Sequence, residues 1–195
     1  MRKSEIKRKT RETDIEVFVD LDGSGKVEID TGIGFFDHML TAFGVHSGID
    51  LKVKCKGDLY VDAHHSVEDT GICIGKAFAE AMGDKGGIAR YGTAYVPMDE
   101  ALSFCSLDIS GRPFLVFKAE FHDDRCGQYD NCLTEEFFRA FAFNAGITLH
   151  VKEEYGNNDH HIIEAMFKGL GRALRQAVAI DPKQADKTPS SKGVL

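Results

Sequence analysis

No apolar run in this 195-residue sequence approaches the roughly 20 residues that a helix needs to cross a bilayer, so no helical membrane span is expected. Cysteine is sparse and odd in number. Cys55, Cys73, Cys105, Cys126 and Cys132 form no Cys-x-x-Cys pair, which argues against both a disulfide framework and a zinc knuckle. They read as free thiols in a reducing cytosol, and Cys73, set among apolar residues, reads as core rather than nucleophile. Basic excess is also missing. Twenty-four Lys and Arg face 31 Asp and Glu, for a net charge of −7. That excludes a dominant nucleic-acid or anionic-membrane surface and leaves room for a local basic pocket. The start, Met1 to Lys9, carries basic residues with no apolar stretch behind them, so no signal peptide is expected and the protein is expected to be cytoplasmic. Hydrophobic content of 43% and charged content of 28% are those of a soluble globular protein able to bury a core.

One pattern appears twice. His64-His65-Ser66-Val67-Glu68 and His160-His161-Ile162-Ile163-Glu164 both read His-His-x-x-Glu, 96 residues apart, and hold four of the eight histidines. Each opens an apolar segment of helical period: Val67, Ile74, Ala77, Phe78 and Ala81 in the first, Ile163, Phe167, Leu170 and Leu174 in the second. Residues three and four apart share a helix face, so Glu68 and Glu164 each lie near their own histidines. Adjacent histidines point about 100° apart and cannot easily serve one small ion together. The pattern therefore suits two ions, or one ion and a supporting partner. A single copy would be weak evidence, since a lone helical histidine is usually a surface or satisfied core residue. Two copies at matching places favour metal binding.

The segments around these motifs also repeat. Strands are expected at 5–10, 14–20 and 26–30, a helix from about Phe35 to His46 ended by Gly48, a strand at 49–55, then the helix of the first His-His pair to about Met82. After the glycines at 83, 86 and 87, strands are expected at 93–98, 102–109 and 114–117, followed by a polar loop over 122–130. A helix capped by Thr134 then runs to about Asn144, with a strand at 147–151 and a long helix from about His160. The fold class is thus α+β, a tandem duplication of a β-β-β-α-β-α half, with mixed four-stranded sheets and helices packed on one face. The halves are set at 1–86 and 87–195, the second including a polar tail, within one compact domain. His38 lies 26 residues before the first His-His pair and Glu136 lies 24 before the second, each in the penultimate helix of its half. The candidate metal ligands are His38, His64, His65, Glu68, Glu136, His160, His161 and Glu164. Imidazole with carboxylate and open positions favours Mn or Fe. His46, His122 and His150 lack this context.

Phe36-Asp37-His38-Met39, Asp62 to Asp69, Gly111-Arg112-Pro113 and Asp159 to Ala165 resemble the signatures of the imidazoleglycerol-phosphate dehydratases, and the resemblance covers nearly the whole chain. It implies a hydro-lyase of histidine biosynthesis that converts imidazole glycerol phosphate to imidazole acetol phosphate with two Mn2+ per active site. It also implies a homo-oligomer of 24 subunits with active sites shared between chains. Two cations at the two nitrogens of the substrate ring would stabilise an imidazolate and the electron-rich intermediate that expels hydroxide. By the same resemblance Glu12 is a catalytic or substrate-contacting acid, Glu68 and Glu164 serve as ligands and catalytic carboxylates, and Asp99 is a weaker candidate. Arg90, Arg112, Lys168, Ser190 and Lys192 are implied to bind the substrate, chiefly its phosphate, with the tail ordering over it. Some members of that family carry His before the double Phe where this chain has Glu136. A carboxylate can ligate Mn there, or it can stand behind the ligands and leave seven. Read from the residues alone, a dinuclear hydrolase and a structural-metal or metal-storage protein remain open. The first adds water instead of removing it, and the second would unfold without its metal and have no turnover to lose.

Overall fold

The computed structural model describes residues 2–182 and 187–193. The first half runs β1 (Lys3–Lys9), β2 (Thr13–Asp20), β3 (Val27–Asp30), α1 (Gly34–Ser47), β4 (Asp50–Gly57) and α2 (His64–Met82). The second runs β5 (Tyr91–Met98), β6 (Ala101–Asp108), β7 (Phe114–Lys118), a short hairpin of β8 (Arg125–Cys126) and β9 (Tyr129–Asp130), then α3 (Leu133–Ala145), β10 (Thr148–Tyr155) and α4 (Asp159–Ala177). The wiring repeats. One sheet has the order β1-β2-β4-β3 and the other β5-β6-β10-β7. In each, the inner pairs are antiparallel, while the strand before the penultimate helix lies parallel to the strand after it. A helix can span such a parallel crossover, and α1 and α3 do so. The expected α+β class with two mixed four-stranded sheets is what the chain adopts.

Period-two alternation sets the buried face of each sheet. Ile15, Val17 and Val19 of β2 lie opposite Cys55, Val53 and Leu51 of β4, and all six are buried. Ser103, Cys105 and Leu107 of β6 do the same beside Leu149 and Val151 of β10. The four helices lie between the two sheets. Helix α2 covers β1 and β2, and α4 covers β5 and β6. Across the middle, helices of opposite halves meet: α1 packs on α4, and α2 on α3. The packing among the four helices is aromatic. Phe137 stacks on Phe167 at 4.9 Å, Phe78 meets Phe141 edge-on at 5.5 Å, and Phe36 meets Phe137 at 5.4 Å. Each is fully buried, worth about 1.5–3 kcal/mol per ring.

Glycine permits the two crossings. A Cβ on Gly171 would stand 2.6 Å from the Phe43 carbonyl oxygen, and one on Gly75 would stand 2.7 Å from that of Phe141. Gly75 and Gly171 are 96 residues apart, the offset of the His-His motifs. Each half therefore supplies one glycine to the same kind of close approach against the other half.

Two local expectations change. The polar loop 122–130 contains the β8–β9 hairpin, because Gly127 at φ +64° allows a tight turn. Thr134 does not cap α3. The helix begins at Leu133, and buried Thr134 instead bonds Tyr129 Oη through its hydroxyl at 3.1 Å. Asn158 caps α4, its side chain accepting from the His160 N–H at 3.0 Å.

Candidate metal centre

The α1–α4 crossing brings three of the eight ligand candidates together. The ligand atoms of His38, His160 and Glu164 lie within 4.8 Å of one another, the one such trio of His, Cys, Asp or Glu among the described residues. His38 Nε2 and His160 Nε2 are each 3.2 Å from Glu164 Oε2. His160 and Glu164 come from adjacent turns of α4. His38 comes from the start of the second turn of α1, in the other half of the chain. The histidines are half exposed, whereas Glu164 is 6% exposed, so the cluster has a buried floor and an open mouth. Burial pushes the Glu164 carboxyl up, but the Lys168 ammonium at 2.6 Å and His38 outweigh it and hold the carboxyl below its usual range. A preformed carboxylate between two imidazoles, open to solvent, suits a divalent cation of the Mn or Fe type.

The equivalent place at the α2–α3 crossing is more open. His64 Nε2 is 3.6 Å from Glu68 Oε2. Glu136, at the start of α3, pairs with Arg139 at 3.7 Å instead of closing on them. This set holds two carboxylates and one imidazole, and two like charges part unless a cation lies between them. The remaining histidines turn to the hairpins of their own halves. His65 Nδ1 meets Asp58 at 3.1 Å, and its Nε2 is 3.8 Å from Glu12. His161 Nδ1 meets Glu100 at 2.7 Å, and its Nε2 is 3.7 Å from Asp99. Asp58 raises the pKa of His65 above its usual value, against a small opposing effect of burial.

Glu12 sits in the β1–β2 turn, not on a strand, with its side chain 53% exposed. Asp69 on α2 fixes this hairpin by accepting from the Thr13 hydroxyl at 2.6 Å and pairing with Arg8. Of the basic candidates, Lys168 serves Glu164 directly. Arg90 has a left-handed backbone at φ +73°, grips Asp108 at 2.7 and 3.1 Å, and donates to the Pro189 carbonyl at 2.8 Å. It thereby ties the tail segment 187–193 to the start of β5. In that segment Ser190 Oγ accepts from the Lys192 N–H at 3.2 Å. Arg112 is 69% exposed and only 3.9 Å from Asp108, so it is free to reach a ligand.

The sequence does not mark the carboxylates behind the histidines. Asp58 lies seven residues before His65, and Glu100 lies 61 before His161, so neither falls within the motif it serves. Nor does it mark Asp159, 4% exposed, which accepts from the backbone N–H of His122 and Asp123 and from Asn131 Nδ2. These bonds pin the β8–β9 segment to the start of α4 beside His160. The five cysteines are free as expected, and burial pushes the Cys73 thiol up to about 11, away from nucleophilic use. Among the described residues no helix is long and apolar enough to cross a membrane.

The chain is similar to known proteins over its whole length. Imidazoleglycerol-phosphate dehydratase of Rhodopseudomonas palustris strain TIE-1 is 60% identical over all 195 residues, which covers 99% of that protein. The enzyme of the same name from Clostridium kluyveri strain ATCC 8527 is 59% identical, with both chains fully covered. The crystal structure of imidazoleglycerol-phosphate dehydratase from Staphylococcus aureus subsp. aureus N315 matches with a TM-score of 0.84 at 41% identity, covering 92% of this chain and 99% of that one. The structure of the Pyrococcus furiosus protein matches with a TM-score of 0.84 at 39% identity, covering 97% and 100%. Residues 31–174 match the family model for imidazoleglycerol-phosphate dehydratase, and with relatives this similar over their whole length, the chain belongs to the imidazoleglycerol-phosphate dehydratase family.

Proposed function

We propose that the chain removes water from D-erythro-imidazole glycerol phosphate to give imidazole acetol phosphate, a step of histidine biosynthesis, using two Mn2+ ions per active site. The observation that carries the metal part is the His38–His160–Glu164 cluster in a chain of this family. Its donors fit such an ion. His38, His160 and Glu164 would hold one, and His64, Glu68 and Glu136 the other. His65 and His161, turned onto their own hairpins, would complete sites belonging to neighbouring copies in a homo-oligomer of 24 subunits. Bound there, two ions would supply positive charge beside the substrate ring and would make the hydrogen on the attached carbon easier to remove.

The chain's own groups then divide the work. Lys168 holds the Glu164 carboxyl below its usual range, which makes it a weaker base and favours it as a ligand. Glu12, exposed at a hairpin tip beside His65, is the carboxylate free to move a proton. Glu68 stays with His64 as a ligand that can also relay one. Arg112 meets the phosphate, and Arg90 holds the tail segment that presents Ser190 and Lys192 to it. The substrate is a small phosphorylated imidazole, so no nucleic acid or membrane is involved. Five unpaired cysteines suit the cytoplasm as its setting. The deciding experiment is an assay on imidazole glycerol phosphate after chelation, with Mn2+ added back. Activity should vanish with the metal and return with Mn2+. A chelated protein that dehydrates at the full rate would sink the metal reading, and no turnover with Mn2+ would sink the substrate. Glu164→Gln should lose both bound Mn2+ and activity.

A further inference from the structure

We propose that Asp58 and Glu100 are positioning residues that fix the tautomer of His65 and His161 so that each presents an unprotonated Nε2 to a metal ion. The proposal rests on the metal reading above. Asp58 lies just past β4, and both its oxygens approach His65 Nδ1, at 3.1 and 3.2 Å. Glu100 lies in the β5–β6 hairpin, and its Oε2 is 2.7 Å from His161 Nδ1. An ionised carboxylate only accepts, so the neutral ring beside it must carry its proton on Nδ1 and its lone pair on Nε2. Metal-binding histidines are commonly held this way by a carboxylate behind the ring.

The two pairs are built independently. His65 and His161 are equivalent in the duplication, 96 residues apart, but their carboxylates are not. One follows the last strand of its half, and the other lies between the first two strands of its half. Copying a half would have copied one arrangement. Instead each half places a carboxylate against the same ring nitrogen from a different direction. Simple pinning of a loop does not explain this. Glu100 already pins the start of α4 with its other oxygen, Oε1, which accepts from the N–H of Asn158 at 2.9 Å and of Asn157 at 3.3 Å.

That division of labour gives a clean test. In Glu100→Gln the amide oxygen must stay on the two backbone N–H groups, because flipping would point two donors at two donors. The amide NH2 then faces His161 Nδ1 and forces the proton to Nε2. In Asp58→Asn nothing prevents a flip, so the amide oxygen can still accept from the ring, and the effect is smaller. The parent and both variants are titrated with Mn2+ as purified full-length protein, with free Mn2+ followed by electron paramagnetic resonance. Their histidine tautomers are read from 15N-imidazole spectra without metal. Glu100→Gln should bind Mn2+ about 10–100-fold more weakly at the sites it serves and show His161 as the Nε2–H form, and Glu100→Asp should restore part of both. Unchanged tautomers, or Mn2+ affinity within about twofold of the parent in both variants, would overturn the positioning role. Where Glu100→Gln does not fold, Asp58→Leu, which leaves no side-chain acceptor beside His65 Nδ1, carries the same readouts on the other half. A parent that binds no Mn2+ refutes the metal reading itself, and the metal-free spectra then still decide whether the carboxylates set the tautomers.

Discussion

Glu100 accepts from the His161 ring and from the N–H of Asn157 and Asn158, and these bonds hold its carboxyl down to about 2 from an ordinary 4.5. A carboxylate whose folded pKa is depressed stabilises the fold above its unfolded value and loses that contribution as pH falls toward the folded one. The window here is about pH 4.5 down to about 2. In chelator, the melting temperature of the parent should therefore fall more steeply across that window than that of Glu100→Gln, which has no proton to gain. Parallel curves in scanning calorimetry would remove the carboxylate from the stability of this hairpin. At this scale the sequence was only partly legible. The ligand candidates showed through because His-His-x-x-Glu is a local pattern repeated at one offset. Asp58 and Glu100 did not, because each reaches its histidine through a turn whose geometry no spacing encodes. Thr134 looked like a cap because threonine before an apolar run usually is one, but the buried hydroxyl of Tyr129 takes it instead.

Between elements, the decisive contacts are the two glycine crossings. Gly171 meets the Phe43 carbonyl where α4 crosses α1, and Gly75 meets the Phe141 carbonyl where α2 crosses α3. Alanine in a helix interior gains about 1 kcal/mol over glycine in propensity. Here its methyl would lie 2.6 or 2.7 Å from a backbone oxygen that cannot swing aside, and overpacking of that kind costs about 1–3 kcal/mol. The close approach puts the clash at the upper end, for a net loss of about 2 kcal/mol in either variant. The two should differ in metal binding. Prying α1 from α4 moves His38 away from His160 and Glu164, whereas prying α2 from α3 leaves that trio alone. Gly171→Ala should thus weaken binding at the His38–His160–Glu164 set more than Gly75→Ala at equal loss of melting temperature, as Mn2+ titration beside thermal melts would show. Equal effects on binding would mean the crossing does not set the cluster. The element order and duplication were readable in the sequence, since strand alternation and helix period are local. The pairing of α1 with α4, and of α2 with α3, was not. An amphipathic stripe tells which face is buried, but not which partner buries it.

For the whole molecule, the question is where a complete site lies. Within one chain the ligand candidates fall into separate groups: a trio on α1 and α4, a looser set on α2 and α3, and two histidines facing their own hairpins. If a site takes its trio from one subunit and His65 or His161 from the next, two differently damaged chains can repair each other. A Glu164→Gln chain keeps its hairpin-facing histidines, and a His65→Ala chain keeps its trio. Each alone should be inactive, because every site in a uniform assembly lacks one part. Expressed together in equal amounts, with subunits drawn at random, about a quarter of the interfaces would join an intact trio to an intact His65. Specific activity should then return to about that fraction of the parent, and only after the chains assemble together. Mixing the two finished homo-oligomers without dissociation should restore nothing, which separates repair by assembly from contamination by active protein. Co-assembled chains that remain as inactive as either variant would place every needed ligand within a single subunit, and would require His65 to swing off Asp58 to join a site in its own chain.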